Sequence, residues 1–180
     1  MRAKQPWVFD KALGRRRLRA GRAGKNNQKD LQSGAESSIL DSEEQFNQAK
    51  DYAVSLGMPP EGIRYSNNSL TGYLGGRFDS LIIGTDVVPL SQRSKNPNDN
   101  VSIKGTIAHE MVGHREASLK GFTRSVFAEE EAQASIRAAR FAPGLSRGER
   151  IDLIRDAVKR LNNAGISLRS IKGDLFIKER

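Results

Sequence analysis

The sequence predicts an α+β fold in which a small antiparallel sheet is followed by a helical bundle. Two patterns support this prediction: β-rich segments alternate with turn residues between positions 63 and 88, and helical periodicity dominates from residue 101 onward. The composition agrees, since 37% hydrophobic and 28% charged residues are typical of a folded globular chain. From the length of 180 residues we expect a basic, flexible lead-in over residues 1–38 and one folded domain over residues 39–180.

The first half of the folded domain is predicted to hold one helix and all but the last of the strands. The helix begins at Asp41 or Ser42, continues with apolar residues at helical spacing and ends at Gly57. The polar stretch 91–100 is expected to be a solvent-exposed loop. Strands are expected over residues 63–66, 70–74 and 78–83, with Val87 and Val88 continuing the last of these or pairing with it.

The second half of the folded domain is predicted to be mainly helical. Helices are expected over residues 101–119, over residues 126–141, and from Ser146 to Gly165. Ser146 and Glu149 have the spacing of a capping box, which marks the start of the third helix. The tail over residues 166–177 is expected to form a short helix and then a strand at its DLFI segment.

The positive charge of the chain is concentrated at its N-terminus. The formal net charge is +9, and residues 1–30 hold ten basic and two acidic residues, so the rest of the chain is nearly neutral. The arginine-rich stretch 14–22 predicts a solvated arm that binds nucleic acid nonspecifically. A rival interpretation is a non-enzymatic basic protein that binds nucleic acid through this arm, with the helices as its scaffold.

Three absences in the sequence limit the class of protein. The chain has no cysteine, which excludes disulfides, thiol nucleophiles and cysteine-ligated metal sites. It has no run of about 18 apolar residues, so we expect no membrane span. Its N-terminus lacks the apolar segment of a Sec signal peptide, and we therefore expect a cytoplasmic location.

The two histidines of the chain lie on either side of a glutamate in the segment His109-Glu110-Met111-Val112-Gly113-His114. Neutral imidazoles bind Zn²⁺, and an adjacent carboxylate can act as a general base, which is the role predicted for Glu110. The histidines are five residues apart, a spacing that a regular α-helix would place about 140° apart around its axis. A π-bulge would return both to one face, and Gly113 is a plausible position for it.

This hexapeptide resembles the HELLGH motif of the dipeptidyl peptidase III family of zinc peptidases, which has the same additional residue. That family completes its site with an EExxA segment on a second helix, and residues 130–134 match it. The resemblance implies that Glu131 is the third metal ligand, and that Glu130 lies beside the ligands without binding the metal. The family's final acidic residue is replaced here by Ser135.

The segment EEEAQASIRAARF, residues 129–141, also resembles the ExEA helix of compact gluzincin peptidases, including small enzymes that cleave phage-type repressors. This second resemblance places the third ligand at Glu131 as well. Together they imply a zincin-like metallopeptidase with Zn²⁺ held by His109, His114 and Glu131. A water activated by the metal and by Glu110 would attack a peptide carbonyl. Hydrolysis of an amide outside peptides is a further alternative.

In zincins the edge strand that precedes the active-site helix binds extended peptide by strand addition. The expected strand here is 78–83, with Phe78, Ser80 and Ile82 as the substrate-strand candidates and Gly75-Gly76 leaving room at its start. An ordinary core strand is the alternative interpretation of the same residues.

A peptidase also needs a group that stabilises the oxyanion formed during hydrolysis. The candidates are Tyr65, Tyr73 and Arg115, and the sequence does not choose among them. Arg115 could equally pair with Glu116 or Glu131.

A basic lead-in followed by a compact catalytic domain also resembles the C-terminal toxin domain of bacterial polymorphic toxins. This resemblance implies a protein substrate in a target cell, a cognate immunity protein as partner, and secretion by a non-Sec route.

Overall fold

A computed structural model describes residues 43–67, 70–90 and 92–180. The basic lead-in and the predicted helix start at Asp41 or Ser42 lie outside these residues. The first helix, α1, spans Glu43–Ser55 and buries Ala49 and Ala53. It ends as predicted at Gly57, which has a φ of 90° that favours glycine.

The sheet contains three strands, β1 (Ile63–Ser66), β2 (Gly72–Leu74) and β3 (Ser80–Gly84). The α+β prediction is confirmed, but the sheet is mixed rather than wholly antiparallel. Its order is β1-β3-β2, with β3 parallel to β1 and antiparallel to β2. The central place of β3 follows from its apolar sequence, because Leu81 and Ile83 are fully buried.

Two predictions at the ends of β3 are wrong. Phe78 precedes the strand and is 53% exposed, and Asp79 adopts a left-handed φ of 35° that delays the start of regular pairing to Ser80. After the strand, a 3₁₀ turn over Thr85–Val87 replaces the expected extension. Val87 is fully buried, so it contributes to the core without strand pairing.

Within the polar stretch predicted to be an exposed loop, the described residues 92–100 include partly buried positions. The stretch ends in a 3₁₀ helix, Pro97–Asn100, whose residues are partly buried. The side chain of Asn100 donates to two backbone carbonyls of the stretch, those of Ser94 and Asn96. The polar side chains therefore satisfy the backbone of the segment from within, which allows it to pack against the protein.

The predicted helix over residues 101–119 is continuous but not uniform. It consists of α2 (Ile103–Ala108), a π-helical segment (His109–Arg115) and α3 (Glu116–Leu119). Ser102 caps its start, since the Ser102 hydroxyl accepts a hydrogen bond from the Gly105 amide at 3.0 Å.

The two longest helices, α4 (Phe127–Phe141) and α5 (Arg147–Asn163), pack against each other and match the predicted helices. The capping box is present: the Ser146 amide donates to Glu149 Oε2 at 2.7 Å, and the Glu149 amide donates to Ser146 Oγ at 3.3 Å. Most residues of α4 are buried, because this helix lies between the π segment and α5.

The C-terminal tail forms a short helix, α6 (Leu168–Ile171), as predicted, but the DLFI strand is wrong. The backbone there bonds to side chains of α4 instead. The Phe176 amide donates to Gln133 Oε1 at 3.0 Å, and the Phe176 carbonyl accepts from Arg137 Nη1 at 2.7 Å. These contacts use the polar groups that a strand would have paired with a neighbour.

Among the helices in the described residues, none has the length and apolar character that crossing a membrane requires.

Candidate metal centre

The π-helical segment brings the two histidines to one face of their helix. In a π-helix each amide bonds to the carbonyl five residues earlier, and the Glu116 amide bonds in this way to the Met111 carbonyl. The five-residue spacing of His109 and His114 therefore fits the local turn. Their Nε2 atoms lie 3.1 Å apart. The predicted widening of the helix is thus present, and it extends over seven residues.

Gly113 allows this segment to approach α4 closely. A Cβ atom at position 113 would lie 2.6 Å from the backbone oxygen of Ala134 and 2.7 Å from its Cα. These separations are shorter than real Cβ contacts, so no other residue fits without a shift of the backbone. The glycine serves helix packing, and this packing brings the ligand-bearing face of α4 next to the histidines.

Glu131 on α4 completes a three-residue cluster with the histidines. Its carboxylate oxygens lie 3.4 Å from His109 Nε2 and 3.5 Å from His114 Nε2. One ligand atom from each of the three residues lies within 4.8 Å of the other two. His109 and Glu131 are buried and His114 is partly buried. This group could hold a metal ion.

The shortest separations within the cluster are close to those around a small tetrahedral ion. Nitrogen and oxygen ligands at zinc bond lengths are about 3.3–3.6 Å apart in a tetrahedral arrangement. The two histidine Nε2 atoms lie 3.1 Å apart, and Glu131 approaches His109 with Oε2 at 3.4 Å and His114 with Oε1 at 3.5 Å. The two carboxylate distances involve different oxygens, and with one ligand atom from each residue the three atoms lie within 4.8 Å of one another.

Glu110 lies beside the cluster, in the position of the predicted base. Its side chain is buried, and Oε2 accepts a hydrogen bond of 2.8 Å from the backbone amide of Tyr73 in β2. Glu110, His109 and Glu131 line one cavity of about 40 Å³. A cavity of this size holds two or three water molecules.

Three further residues support the cluster: Ser135, which the sequence analysis noted only as the replacement of an acidic residue, and Asp156 and Arg160, which it missed. The hydroxyl of Ser135 lies 2.9 Å from His109 Nδ1 and donates to Asp156 Oδ2 at 2.7 Å. The guanidinium of Arg160 contacts Asp156 at 2.8 Å and Glu131 at 3.1 Å. A further bond of 3.0 Å joins Arg160 to Asn98 Oδ1, which fixes the 3₁₀ helix against α5.

A sequence signal for two of these residues existed. Asp156 and Arg160 lie at helical spacing among Leu153, Ala157 and Leu161, on the face that α5 buries. A charged pair on an apolar face indicates buried partners. Burial alone would lower the pKa of Arg160, but the neighbouring carboxylates of Asp156 and Glu131 outweigh it and raise that pKa above its ordinary value.

The other predicted site residues divide into two groups. Glu130 lies beside His114, with Oε1 3.9 Å from Nδ1, and its predicted role beside a bound metal stays a prediction. Tyr65 lies elsewhere: it is 47% exposed and packs edge-on against Phe46. It therefore does not join the residues that the structure brings together.

The two remaining oxyanion candidates, Tyr73 and Arg115, meet at Asp79. Arg115 binds both oxygens of Asp79, at 2.7 and 2.9 Å, and the Tyr73 hydroxyl donates to Oδ1 at 3.0 Å. Hydrogen bonds from Arg115 hold the pKa of Asp79 below its usual value. Burial and the bond to Asp79 raise the pKa of Tyr73 to about 12. Asp79 was not among the partners expected for Arg115.

The predicted substrate strand is corrected by the sheet order. Because β3 lies between β1 and β2, neither Ser80 nor Ile82 is on a strand that a peptide could extend, and Phe78 precedes the strand. Among the described strands, β2 is the edge strand next to the π segment, and its Tyr73 amide contacts Glu110.

Comparisons of the chain with protein-family models, with curated proteins and with solved structures find no match.

Proposed function

We propose that this protein is a zinc-dependent hydrolase that cleaves peptide bonds. The observation that carries the proposal is the convergence of His109, His114 and Glu131 at a π-helical segment that also holds Glu110. π-helical turns are rare in proteins and are found frequently at functional sites. Here the π segment places His109 and His114 on one face, whereas an α-helix would place two histidines with this spacing on different faces.

The donor chemistry of the cluster favours Zn²⁺. Two imidazoles and one carboxylate are a common catalytic zinc set, and three protein ligands leave the fourth position open for water or substrate. The charge of the surroundings agrees. The cavity is lined by the carboxylates of Asp86, Glu110, Glu131 and Asp156 and by the guanidinium of Arg160. Acidic side chains outnumber basic ones in this lining, which favours a divalent cation.

The chain's own residues supply the remaining roles in hydrolysis. When bound, Zn²⁺ would lower the pKa of water and polarise the scissile carbonyl. Glu110 accepts the proton of the attacking water and passes it to the leaving amine. The Tyr73 amide holds one Glu110 oxygen at 2.8 Å, which limits the rotation of the carboxylate. Tyr73 and Arg115 are the candidates for stabilising the oxyanion, and the Tyr73 hydroxyl would have to turn away from Asp79 to donate to it.

A peptide substrate is supported by the position of β2. This edge strand contacts the π segment, and strand addition at such an edge binds extended peptide through backbone hydrogen bonds. Side chains would then select among sequences.

The metal assignment is tested by the metal content of the purified protein. We expect about one zinc per chain, lost in His109→Ala, His114→Ala and Glu131→Gln. Glu129→Gln is the matched control, because it changes a carboxylate of the same helix that pairs with Arg124 at 2.7 Å and not with the histidines, and it should retain zinc. If the wild-type protein retains no zinc after it has been incubated with Zn²⁺, the proposal is contradicted.

The reaction is tested with Glu110→Gln. This variant should bind zinc normally, and its peptidase activity on a mixed peptide library should be about 100-fold or more below that of wild type. If zinc is bound but no peptide is cleaved, while another amide is hydrolysed in a Glu110-dependent manner, the substrate class is wrong and the metal assignment stands.

The nucleic-acid interpretation rests on residues 14–22, which lie outside the described residues, and it stays a prediction. Deletion of residues 1–30 should leave the peptidase activity intact and remove binding to polyanions. The toxin interpretation and its immunity partner also stay predictions from resemblance.

A further inference from the structure

We propose that Ser135 and Asp156 form a proton-positioning relay that keeps His109 in the tautomer needed to bind a metal. The proposal rests on the metal centre proposed above. It assigns a role to two residues on different helices, α4 and α5, that neither the motif nor its spacing indicates. We call the hydrogen-bonded series Asp156–Ser135–His109 the relay.

The direction of each hydrogen bond in the relay follows from its acceptor. An ionised carboxylate can only accept, so the Ser135 hydroxyl donates its single proton to Asp156 Oδ2 at 2.7 Å. The Ser135 oxygen must then accept at its other contact, which is His109 Nδ1 at 2.9 Å. His109 therefore carries its proton on Nδ1, and its Nε2 presents a lone pair to the cluster.

The opposite side of the ring agrees with this tautomer. His109 Nε2 lies 3.1 Å from His114 Nε2, and two ring nitrogens at that distance need one donor and one acceptor. With Nε2 of His109 as the acceptor, His114 donates from its Nε2 in the metal-free protein, so this proton must move to His114 Nδ1 before His114 Nε2 can bind a metal. The same lone pair on His109 is the one that a metal ion would use.

Arg160 holds the acceptor of the relay in place and ties it to Glu131. Its Nε lies 2.8 Å from Asp156 Oδ2, the oxygen that Ser135 also contacts, and its Nη1 lies 3.1 Å from Glu131 Oε2. One planar guanidinium thus fixes the acceptor of the relay and the carboxylate ligand together. Ser135, Asp156 and Glu131 are all buried, so water does not compete for these bonds.

The relay also explains how the site can work with serine instead of an acidic residue at position 135. A carboxylate expected there from the resemblance is absent, and Asp156 supplies it from α5 through the serine hydroxyl. His114 differs, because its Nδ1 faces the partly exposed Glu130 at 3.9 Å. We therefore expect His109 to be the more strongly oriented of the two ligands.

The first experiment measures the tautomer in zinc-free, full-length wild-type protein. Long-range ¹H–¹⁵N spectra distinguish the Nδ1–H, Nε2–H and doubly protonated forms of each ring, and the chain contains only two histidines, so His114→Ala assigns them. We expect His109 as the Nδ1–H form at neutral pH. An Nε2–H form would overturn the relay. This measurement needs neither zinc nor activity, so it can fail or succeed independently of the proposed hydrolase.

The second experiment measures zinc affinity by competition with a chromogenic chelator. Ser135→Ala and Asp156→Asn should each weaken zinc binding about 10–100-fold. The double variant should bind zinc no more weakly than the single variant with the lower zinc affinity, because both substitutions interrupt the same chain of hydrogen bonds. Losses that multiply in the double variant would indicate separate structural effects and overturn the relay.

Matched controls guard this experiment against general damage. Asp152→Asn removes a carboxylate of the same helix that pairs with Arg93 and Arg155 near the surface, and it should leave zinc affinity unchanged. Thermal unfolding of each zinc-free variant identifies loss of folding. If a buried variant does not fold, Ser135→Ala is examined for its His109 tautomer alone, and an unchanged Nδ1–H form there would contradict the proposal.

Discussion

Replacing Gly113 by alanine tests whether the close approach of two helices creates the metal centre. A methyl group at this position would lie 2.6–2.7 Å from the backbone of Ala134. Ordinary contact begins at 3.4 Å, so the two backbones must separate by about 0.7–0.8 Å. Because the contact is with backbone, no side-chain rotation relieves it.

The shift has consequences for both stability and metal binding. Overpacking of this kind costs about 1–3 kcal/mol, and the better helix propensity of alanine returns up to about 1 kcal/mol. We therefore expect a net destabilisation of about 1–2 kcal/mol. If the separation is transmitted in full, the Glu131 carboxylate moves about 0.7–0.8 Å away from the two histidines. The three side chains then no longer meet at zinc bond lengths without a rearrangement, and zinc affinity should fall about tenfold or more.

Urea unfolding of the zinc-free protein and chelator competition measure the two effects separately. Gly148→Ala is the control, since a Cβ at position 148 would meet its nearest atom, Ser146 Oγ, at 3.9 Å. The control should be neutral or stabilised by up to about 1 kcal/mol, with zinc affinity unchanged. A Gly113→Ala protein as stable and as tight for zinc as wild type would refute the packing argument.

Three further results are expected. A chelator should lower the thermal midpoint of zinc-loaded wild-type protein and leave that of His109→Ala unchanged, because only the former has bound metal to lose. Ser146→Ala should reduce the free energy of unfolding by about 0.5–2 kcal/mol through loss of the α5 cap, whereas Ser170→Ala, an exposed hydroxyl, should change it little. Tyr73 has a pKa raised to about 12, so its protonated form favours the folded state. Its contribution is complete below pH 10 and is lost as the pH rises towards 12. Ultraviolet titration should show a late phenol ionisation that Tyr73→Phe removes, and an unchanged curve would contradict the bond to Asp79.

The helices and the ligand set were predictable because their signals are local. Gly57 and the box of Ser146 and Glu149 mark helix ends through bonds within one turn. The odd spacing of His109 and His114 predicted a widened helix, since no regular helix places both on one face. Resemblance added Glu131, which spacing alone does not identify.

Predictions that depended on neighbours in space were the ones that changed. The strand expected at DLFI has no partner strand there, and the side chains of Gln133 and Arg137 take its backbone groups. The apolar strand expected at an edge lies in the centre of the sheet, where it pairs with a strand on each side and its Leu81 and Ile83 are fully buried. The periodicity of each segment predicts neither outcome, because both depend on neighbouring elements.

The sequence by itself indicated the main helices, the irregular turn at the histidines and the two histidines of the cluster, and the resemblance added Glu131. Tertiary structure decided which groups stand behind them: Asp156 and Arg160 reach the site from a helix that begins 33 residues after His114. The physical reason is the range of the interactions. Caps and turn geometry act between residues a few positions apart, whereas the orientation of His109 depends on how closely two helices pack, which the contact of Gly113 with Ala134 permits.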